Sequence, residues 1–356
     1  MICFWGCFNH LEFFYLLFPK NPFLHPVLLN GNFLNSLFGN FLKNVFPFSL
    51  ICTTFAKILR KHPLRRVKIK KFLEEMNVVN TVKELKEQLS LFRSEGKSVG
   101  LVPTMGALHP GHASLVKRAV EENDVVVVSI FVNPTQFNDK NVLKNYPRTL
   151  DADCALLASI GDVIVFAPEV EEMYPTEDTR LFSFAPLDTV MEGAFRPGHF
   201  NGVAQIVSKL FYAVEPHRAY FGEKDFQQLA IIREMVRQLG LGLEIVGCPI
   251  VRESDGLAMS SRNTLLTAEE RERSLIISRT LFDSLEYAKE NSLAATKAFV
   301  ENVMETTPGF KLEYYQIVDG NTLQPVQEWG DSEYIVGCIA LFCGKIRLID
   351  NIKYKG

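Results

Sequence analysis

Several features that define common protein classes are missing from this sequence of 356 residues. Its seven cysteines include no CxxC pair, which is typical of reduced thiols in a cytoplasmic protein and not of a disulfide framework. The chain also lacks a basic surface after residue 75: residues 1–75 hold ten Lys/Arg against three Asp/Glu, which leaves residues 76–356 at −10. We therefore expect neither a secreted disulfide scaffold nor a nucleic-acid-binding protein.

The chain also has no uninterrupted apolar run long enough to cross a membrane. The longest uncharged window, Asn21 to Leu42, contains two prolines, two glycines and five asparagines, so it is a poor spanning helix. No compact apolar core with a small-residue cleavage site marks a secretory signal, and residues 1–75 contain too few serines for an organellar transit peptide. The sequence thus predicts no membrane partner.

Residues 1–75 differ in composition from the rest of the chain, since they hold 13 of the 28 phenylalanines and end in a basic run. Met76 stands immediately before the first ordinary globular pattern, and the purine-rich codons of Glu74 and Glu75 would resemble a ribosome-binding site. We expect the native start at Met76 and interpret residues 1–75 as a gene-start artefact or a disordered extension.

The most informative stretch is Val102 to Leu115, where an apolar run gives way to a glycine-bearing loop with two histidines. Pro103 has no N–H for a strand ladder, so we expect the strand of residues 98–102 to end there. Pro110 and Gly111 suit the first turn of a helix that continues to about residue 123. His109 and His112 would then lie beside unpaired helix N–H groups, which favours a nucleotide-phosphate site.

Two other interpretations of this loop remain open from the residues alone. The pair could be half of a metal site, although no His/Cys/Glu cluster elsewhere offers further ligands at a recognisable spacing. The loop could equally be a structural turn whose histidines are incidental, because short motifs match by chance.

The alternation of apolar runs and amphipathic segments after Met76 predicts an α/β fold. We expect strands at residues 98–102, 125–132, 163–166, 218–222 and 243–250, with helices at 81–92, 112–123, 150–160, 202–214 and 227–239. Such alternation is typical of a doubly wound, Rossmann-like parallel sheet, assigned here to residues 76–250. Strand-like runs at 312–318, 334–342 and 346–349 predict a smaller α+β domain at residues 251–356 with an antiparallel sheet.

Polar clusters follow three of these strands, at residues 105–112, 133–136 and 222–225. Ligands of doubly wound sheets bind at the carboxyl ends of the strands, so this common placement indicates an active site. Lys224, Arg262 and the hydroxyls of Ser260 and Ser261 suit a triphosphate. The amides of Gln136 and Gln228 suit a hydroxylated acid, whose carboxylate could itself attack phosphorus.

Six ordered motifs between residues 76 and 356 resemble the pantothenate synthetase (pantoate–β-alanine ligase) family. They are PTMGALHPGH at 103–112, FVNPTQF at 131–137, YPRT at 146–149, RPGHF at 196–200, FGEKDFQQL at 221–229 and MSSRN at 259–263. The histidine loop alone resembles the wider HxGH nucleotidyltransferase superfamily.

This resemblance implies a two-step reaction. (R)-Pantoate and ATP would form pantoyl adenylate and pyrophosphate, and the amine of β-alanine would then attack the acyl carbon to give pantothenate and AMP. It also implies Mg²⁺ on the triphosphate and a homodimer, in the cytoplasm that the cysteines indicate. No protein ligand of the metal is assigned, although Asp153 is the nearest candidate and Ala152 stands where some relatives carry another acid.

The resemblance also implies roles for individual residues. His112, His109, Lys224 and Arg262 would be catalytic, with His112 as a proton donor, while Gln136 and Gln228 would bind pantoate, Gln136 also lying near β-alanine. The residues implied for the ATP site are Met105, Gly106, Ala107, Leu108, His109, Pro110, Gly111, His112, Gly222, Glu223, Lys224, Asp225, Val251, Met259, Ser260, Ser261 and Arg262.

Several of these residues have a plainer interpretation. Gln228 could be an ordinary polar helix residue, Asp225 a helix cap and Met259 part of the core, while Arg196 and His199 could shape the site without touching substrate. Two rival functions remain: a nucleotidyltransferase that leaves the nucleotide on its product, and a catalytically silent nucleotide-binding or scaffold protein. Gln136 and Gln228 argue against the first, and the presence of all four catalytic candidates argues against the second.

Overall fold

The computed structural model of the chain describes residues 77–137, 143–144 and 146–356, so the predictions made for residues 1–75 lie outside it. In this described part, six parallel strands form the larger sheet and three antiparallel strands form the smaller one. No helix within these ranges has the length and apolar composition that a membrane crossing needs. The predicted combination of a Rossmann-like sheet with a small antiparallel sheet is confirmed.

The elements of the larger sheet alternate along the chain. Its strands are β1 Val78–Val79, β2 Val99–Thr104, β3 Val125–Ile130, β4 Ile164–Phe166, β5 Arg218–Gly222 and β6 Glu244–Cys248. The helices between them are α1 Val82–Ser94, α2 Pro110–Glu122, α3 Leu150–Ala158, α4 Val170–Met173, α5 Met191–Phe195, α6 His199–Val214 and α7 Phe226–Leu239. Short 3₁₀ turns occupy Pro134–Gln136, Glu223–Asp225 and Ser261–Leu265.

The strand order β1-β4-β3-β2-β5-β6 reverses direction between β2 and β5. The chain adds β3 and β4 on one side of β2 and then returns to add β5 and β6 on the other. At such a switch point the loops after the two strands diverge and leave a crevice, which is where doubly wound sheets bind ligands. The loop after β2 is the histidine loop, and the turn after β5 carries Lys224.

The strand β2 is longer than the sequence predicted, since it passes through Pro103 to Thr104. The predicted end before Pro103 is therefore wrong. β2 pairs with β3 along its full length, but its pairing with β5 is confined to Gly100 and Leu101. Pro103 therefore lies where β2 has lost one neighbour, so its missing N–H leaves no gap in a ladder.

The C-terminal region packs two long helices against the antiparallel sheet. Its helices are α8 Ala268–Arg273, α9 Leu275–Ala288 and α10 Leu293–Thr306, and its strands are β7 Phe310–Asp319, β8 Ile335–Cys343 and β9 Ile346–Lys355. Ser274 separates α8 from α9. β9 extends well beyond the predicted 346–349. The prediction ended too early because the polar residues Asp350 and Asn351 interrupt the apolar pattern, although both are buried in the strand.

Gly337 in β8 provides a stability prediction for the smaller sheet. A Cβ atom at this position would lie 2.5 Å from the Tyr315 hydroxyl and 2.8 Å from Cε2 of Tyr354. Those two hydroxyls are 2.5 Å apart and that of Tyr354 also contacts Ser284, so the rings cannot easily move. We expect Gly337→Ala to lower the free energy of unfolding by about 1–3 kcal/mol in urea titrations. Gly330→Ala, where a Cβ meets open space, is the control, and equal stability of the two variants would contradict the prediction.

Candidate active site

The histidine loop is built around the start of α2. His109 is the N-cap residue, and its Nδ1 atom accepts the Gly111 N–H at 3.1 Å. His112, three residues later, accepts the His109 N–H on its own Nδ1 at 3.3 Å, which completes a reciprocal capping box. Because both δ nitrogens accept, the neutral rings must carry their protons on Nε2. Each ring therefore has a remaining N–H donor, and the two ring centroids are 4.0 Å apart.

Both imidazoles are neutral at physiological pH. Burial, followed by the positive charge of Lys224, lowers the pKa of His109 to about 4. Burial, followed by the neighbouring His109 ring, lowers the pKa of His112 to about 3, with a further contribution from Lys224. The loop therefore offers two neutral Nε2–H donors, while Lys224 supplies the positive charge. The expected unpaired N–H groups at the start of α2 are not found, because Pro110 has none and the capping box uses that of Gly111.

These low pKa values predict an acid-dependent loss of stability. The ordinary histidine pKa is 6.5, so between that pH and about 4 the unfolded chain binds protons at these rings that the folded chain does not. Stability is then fully present above pH 6.5 and falls as the pH decreases through this window. Urea unfolding at about pH 7 and about pH 5 should show a smaller pH dependence in His112→Asn, which retains an acceptor for the His109 N–H. An unchanged pH dependence in that variant would refute the assignment.

The turn before His109 is held in place by Asp153. Gly106 and Ala107 have positive φ angles of 77° and 50°, a backbone conformation that is costly for alanine. The Asp153 carboxylate, which is only 2% exposed, accepts the N–H groups of Ala107 at 3.1 Å and Leu108 at 2.8 Å. Both oxygens of the candidate metal ligand thus already bind the loop backbone. In the described ranges, no group of three acidic, His or Cys side chains could hold a metal ion.

Gln136 is fixed by contacts from three sides. Its Oε1 atom accepts an N–H from Asn133 at 3.1 Å, and its Nε2 atom lies 3.0 Å from the sulfur of Met105 in the histidine loop. Its backbone carbonyl lies 3.1 Å from Nδ1 of His199. Asn133 also donates to the Gly202 carbonyl at 3.0 Å, which ties this turn to α6.

One cavity is lined by Arg196, His199, Lys224, Asp225 and Gln228, together with Asp350 and Asn351 of β9. Gln136 is not among its lining residues and is connected to it through the contact of its backbone carbonyl with His199. Asp225 occupies the N-cap position of α7 but makes no side-chain capping bond, so its carboxylate does not have the structural role considered above. A second cavity is lined by Lys224, Ser260, Arg262 and Asn263, together with residues of β9. Lys224 lines both cavities, so it stands between the amide-bearing pocket and the hydroxyl- and guanidinium-bearing pocket.

The remaining predicted residues are not among those that line these two cavities, although several are neighbours of such residues in the chain. Met259 packs close to Gly111, where an added Cβ would lie 3.7 Å from that of Met259, and the Met259 N–H donates to the Val251 carbonyl at 3.0 Å. Pro110 is the first residue of α2 and is exposed, while Gly222 ends β5 and Glu223 begins the turn of Lys224. Burial raises the pKa of Tyr146, whose hydroxyl is hydrogen-bonded to Ser261 near Arg262, so the YPRT motif contacts the MSSRN motif.

Two groups near the site were missed in the sequence. Glu192 is buried and accepts hydrogen bonds from Tyr314 at 2.8 Å and from both terminal nitrogens of Arg347, at 2.9 and 2.6 Å. Burial alone would raise the pKa of Glu192, but the bonds and charges of Arg347 and Arg196 lower it to about 2. Asp350 and Asn351 on β9 form the second group. No local pattern marks these residues, because their partners lie far away in the sequence.

The family model and the relatives that match this chain all belong to one family. Residues 77–353 match the family model described as Pantoate-beta-alanine ligase. A relative from Phocaeicola vulgatus named Pantothenate synthetase is 70% identical over 282 residues, which cover 79% of this chain and 100% of the relative. Another of that name from Porphyromonas gingivalis is 55% identical over 280 residues, with coverage of 79% and 100%.

Solved structures give the same family. The pantothenate synthetase of Thermus thermophilus has a TM-score of 0.74 and 45% identity, covering 79% of this chain and 100% of that one. The pantoate-beta-alanine ligase of Francisella tularensis, solved in complex with beta-gamma ATP and beta-alanine, has a TM-score of 0.63 and 35% identity, with coverage of 78% and 98%.

Proposed function

The chain belongs to the pantoate-beta-alanine ligase family, and we propose that the two cavities joined by Lys224 carry out the two-step reaction of that family. The enzyme forms a C–N bond by the ATP-dependent condensation of (R)-pantoate with β-alanine. The observation that carries the assignment of the site is the position of Lys224, which lines an amide-bearing pocket on one side and a cationic, hydroxyl-bearing pocket on the other.

In the first step the pantoate carboxylate attacks the α-phosphorus of ATP. A new P–O bond forms, the bond to the departing pyrophosphate breaks, and pantoyl adenylate results. Gln136 and Gln228 would hold pantoate by hydrogen bonds, and the Nε2–H groups of His109 and His112 would donate to phosphate oxygens. Lys224 would stabilise the charge that develops on the transferring phosphate, which in phosphoryl transfer is the main contribution of the protein.

In the second step the β-alanine amine attacks the acyl carbon of the adenylate. The C–N bond forms, the C–O bond to AMP breaks, and the amine loses a proton. We expect β-alanine to bind in the cavity that Gln228 shares with Arg196 and His199. No activated Ser or Cys is required, because the leaving AMP has already made the carbonyl reactive.

The nucleotide pocket has the donors that a triphosphate needs. Ser260, Ser261 and Arg262 would complete it, the planar Arg262 fork binding phosphate oxygens in pairs and the hydroxyls filling the remaining positions. Mg²⁺ bound to the triphosphate would neutralise part of its charge. Since Asp153 is engaged by the loop backbone, we expect phosphate and water oxygens to supply most of the ligands of this ion.

AMP release separates the ligase from its two rivals. With ATP and pantoate, AMP formation that requires β-alanine and yields one pantothenate per AMP supports the ligase. A product that keeps the nucleotide would indicate a nucleotidyltransferase, and no turnover of ATP at all would indicate a silent binding protein. We also propose a cytoplasmic homodimer, and sedimentation equilibrium of the purified protein would test its mass.

A further inference from the structure

The last strand contacts both phosphate-binding segments through two adjacent buried residues. Asp350 and Asn351 lie in the middle of β9, at 4% and 8% exposure. Asn351 reaches the 3₁₀ turn of Lys224, and Asp350 reaches the segment that leads to Arg262. Buried polar side chains in an otherwise apolar strand are costly unless their bonds are satisfied, and here those bonds extend to the nucleotide pocket and to the segment that supports it.

Asn351 holds the backbone of Lys224 itself. Its Nδ2 group donates to the carbonyl of Glu223 at 2.9 Å and to that of Lys224 at 3.1 Å, so both of its N–H donors are used. Two consecutive carbonyls that point at one amide fix the local twist of the turn. The direction in which the long Lys224 side chain leaves the backbone is therefore set by a residue of the other sheet.

Asp350 acts on the other segment through Arg252. The two side chains form a bidentate ion pair, with N–O distances of 2.7 and 3.0 Å, and both are largely buried. Arg252 also donates to the Gly256 carbonyl at 3.1 Å and forms an isolated β-bridge with Ala258. This closed turn leads directly into Met259 and the Ser260–Arg262 motif, so the ion pair anchors the base of the segment that carries Arg262.

We propose that Asp350 and Asn351 are positioning residues, Asn351 setting the place of Lys224 and Asp350 that of Arg262. One rigid dipeptide would thereby fix the spacing of the two cations that hold the nucleotide phosphates. Positioning of this kind matters because small displacements of a charged group strongly reduce its effect on a transition state. The inference rests on the proposed function, since it concerns that same phosphate pocket.

Double-mutant cycles test the proposal, because residues that act through one another are not additive. In the full chain, we expect Asn351→Ala to lower kcat/KM for AMP release by about 10–100-fold. In the Lys224→Ala background the same change should cost less than about 3-fold, because the group that it positions is absent. Asp350→Asn should likewise lower kcat/KM much less in the Arg262→Ala background than in the wild type. In the two crossed pairs, Asn351→Ala with Arg262→Ala and Asp350→Asn with Lys224→Ala, the fold-losses in kcat/KM should simply multiply.

Asn123→Ala is the matched control. Asn123 is a buried amide whose Nδ2 donates to the Ala119 carbonyl and to the Tyr220 hydroxyl, but it lies at the end of α2 remote from the histidine loop. It should change kcat/KM by less than about 3-fold in every background. If Asn351→Ala lowers kcat/KM by the same factor in the wild-type and Lys224→Ala backgrounds, or does not lower it at all, the proposal is wrong.

Folding is checked by circular dichroism before the rates are compared. If Asn351→Ala does not fold, Asn351→Ser, which retains one donor, replaces it in the cycle. Failure of both variants to fold would assign Asn351 to fold stability and overturn the proposal. Absence of AMP formation by the wild-type enzyme would instead refute the proposed function, so the two failures are distinguishable.

Discussion

Lys224→Ala is expected to lower kcat/KM for AMP formation by roughly 10²–10³-fold, the range typical of a lost charge-stabilising donor. Lys224 lines both cavities, and its positive charge contributes to the low pKa of His109 and of His112. No other lysine lines either cavity within residues 77–137 and 146–356. Removal of the ammonium therefore leaves the developing phosphate charge to neutral imidazoles and to the arginines that line the cavities, Arg196, Arg262 and Arg347.

The fold should survive this substitution. The backbone of Lys224 remains bound to Asn351, and truncation of the side chain to a methyl group leaves those bonds intact. We expect the thermal midpoint to change by no more than a few degrees, because no buried apolar contact is lost.

Lys117→Ala makes the same change of charge on the exposed face of α2 and serves as the control. Steady-state AMP release, measured with each substrate varied in turn, compares the variants. If Lys224→Ala kept wild-type turnover, or if Lys117→Ala lost as much, the central role of Lys224 would be refuted.

The sequence was most informative where function depends on local geometry. Pro110 at the first helical position and His109 before it predicted a helix start with two histidines, and the structure has this arrangement. The placement of Gln136 and Lys224 after β3 and β5 followed from the strand pattern, since parallel strands end at a common edge. What the pattern did not reveal is that both histidines use their δ nitrogens to cap the helix, which fixes the tautomer of each.

The sequence was least informative where a contact joins distant segments. Asp350 and Arg252 are 98 positions apart, and Asn351 and Lys224 are 127 apart. Neither separation corresponds to the periodicity of a helix or a strand, so no local pattern predicts these contacts. The adjacent polar residues Asp350 and Asn351 looked like the end of β9, because strands of a half-buried sheet usually alternate apolar and polar residues. Asp153 shows the same limit, because it was named only as the nearest candidate for a metal ligand, and its bonds to the N–H groups of Ala107 and Leu108 join residues 46 and 45 positions apart.

Gly202→Ala is expected to raise the KM for pantoate about 10-fold or more and to reduce stability by about 1–3 kcal/mol. Gly202 lies in α6 where the helix meets the Gln136 turn. A Cβ atom there would lie 2.5 Å from the Thr135 carbonyl oxygen and 2.8 Å from the Gln136 nitrogen. Both are backbone atoms, which cannot rotate away as a flexible side chain could, so the turn itself must shift.

That shift would act on the proposed pantoate contact. Asn133 bonds both the Gly202 carbonyl and the Gln136 side chain, so displacement of the turn from α6 strains the bond that orients the Gln136 amide. The ATP pocket is built from other segments, and the KM for ATP should therefore change less than that for pantoate.

Initial rates at saturating ATP and β-alanine, below the unfolding temperature of each variant, measure the KM for pantoate. Gly242→Ala, where a Cβ meets open space, should leave both quantities near wild type. A Gly202→Ala enzyme with an unchanged KM for pantoate would show that the Gln136 turn does not hold this substrate.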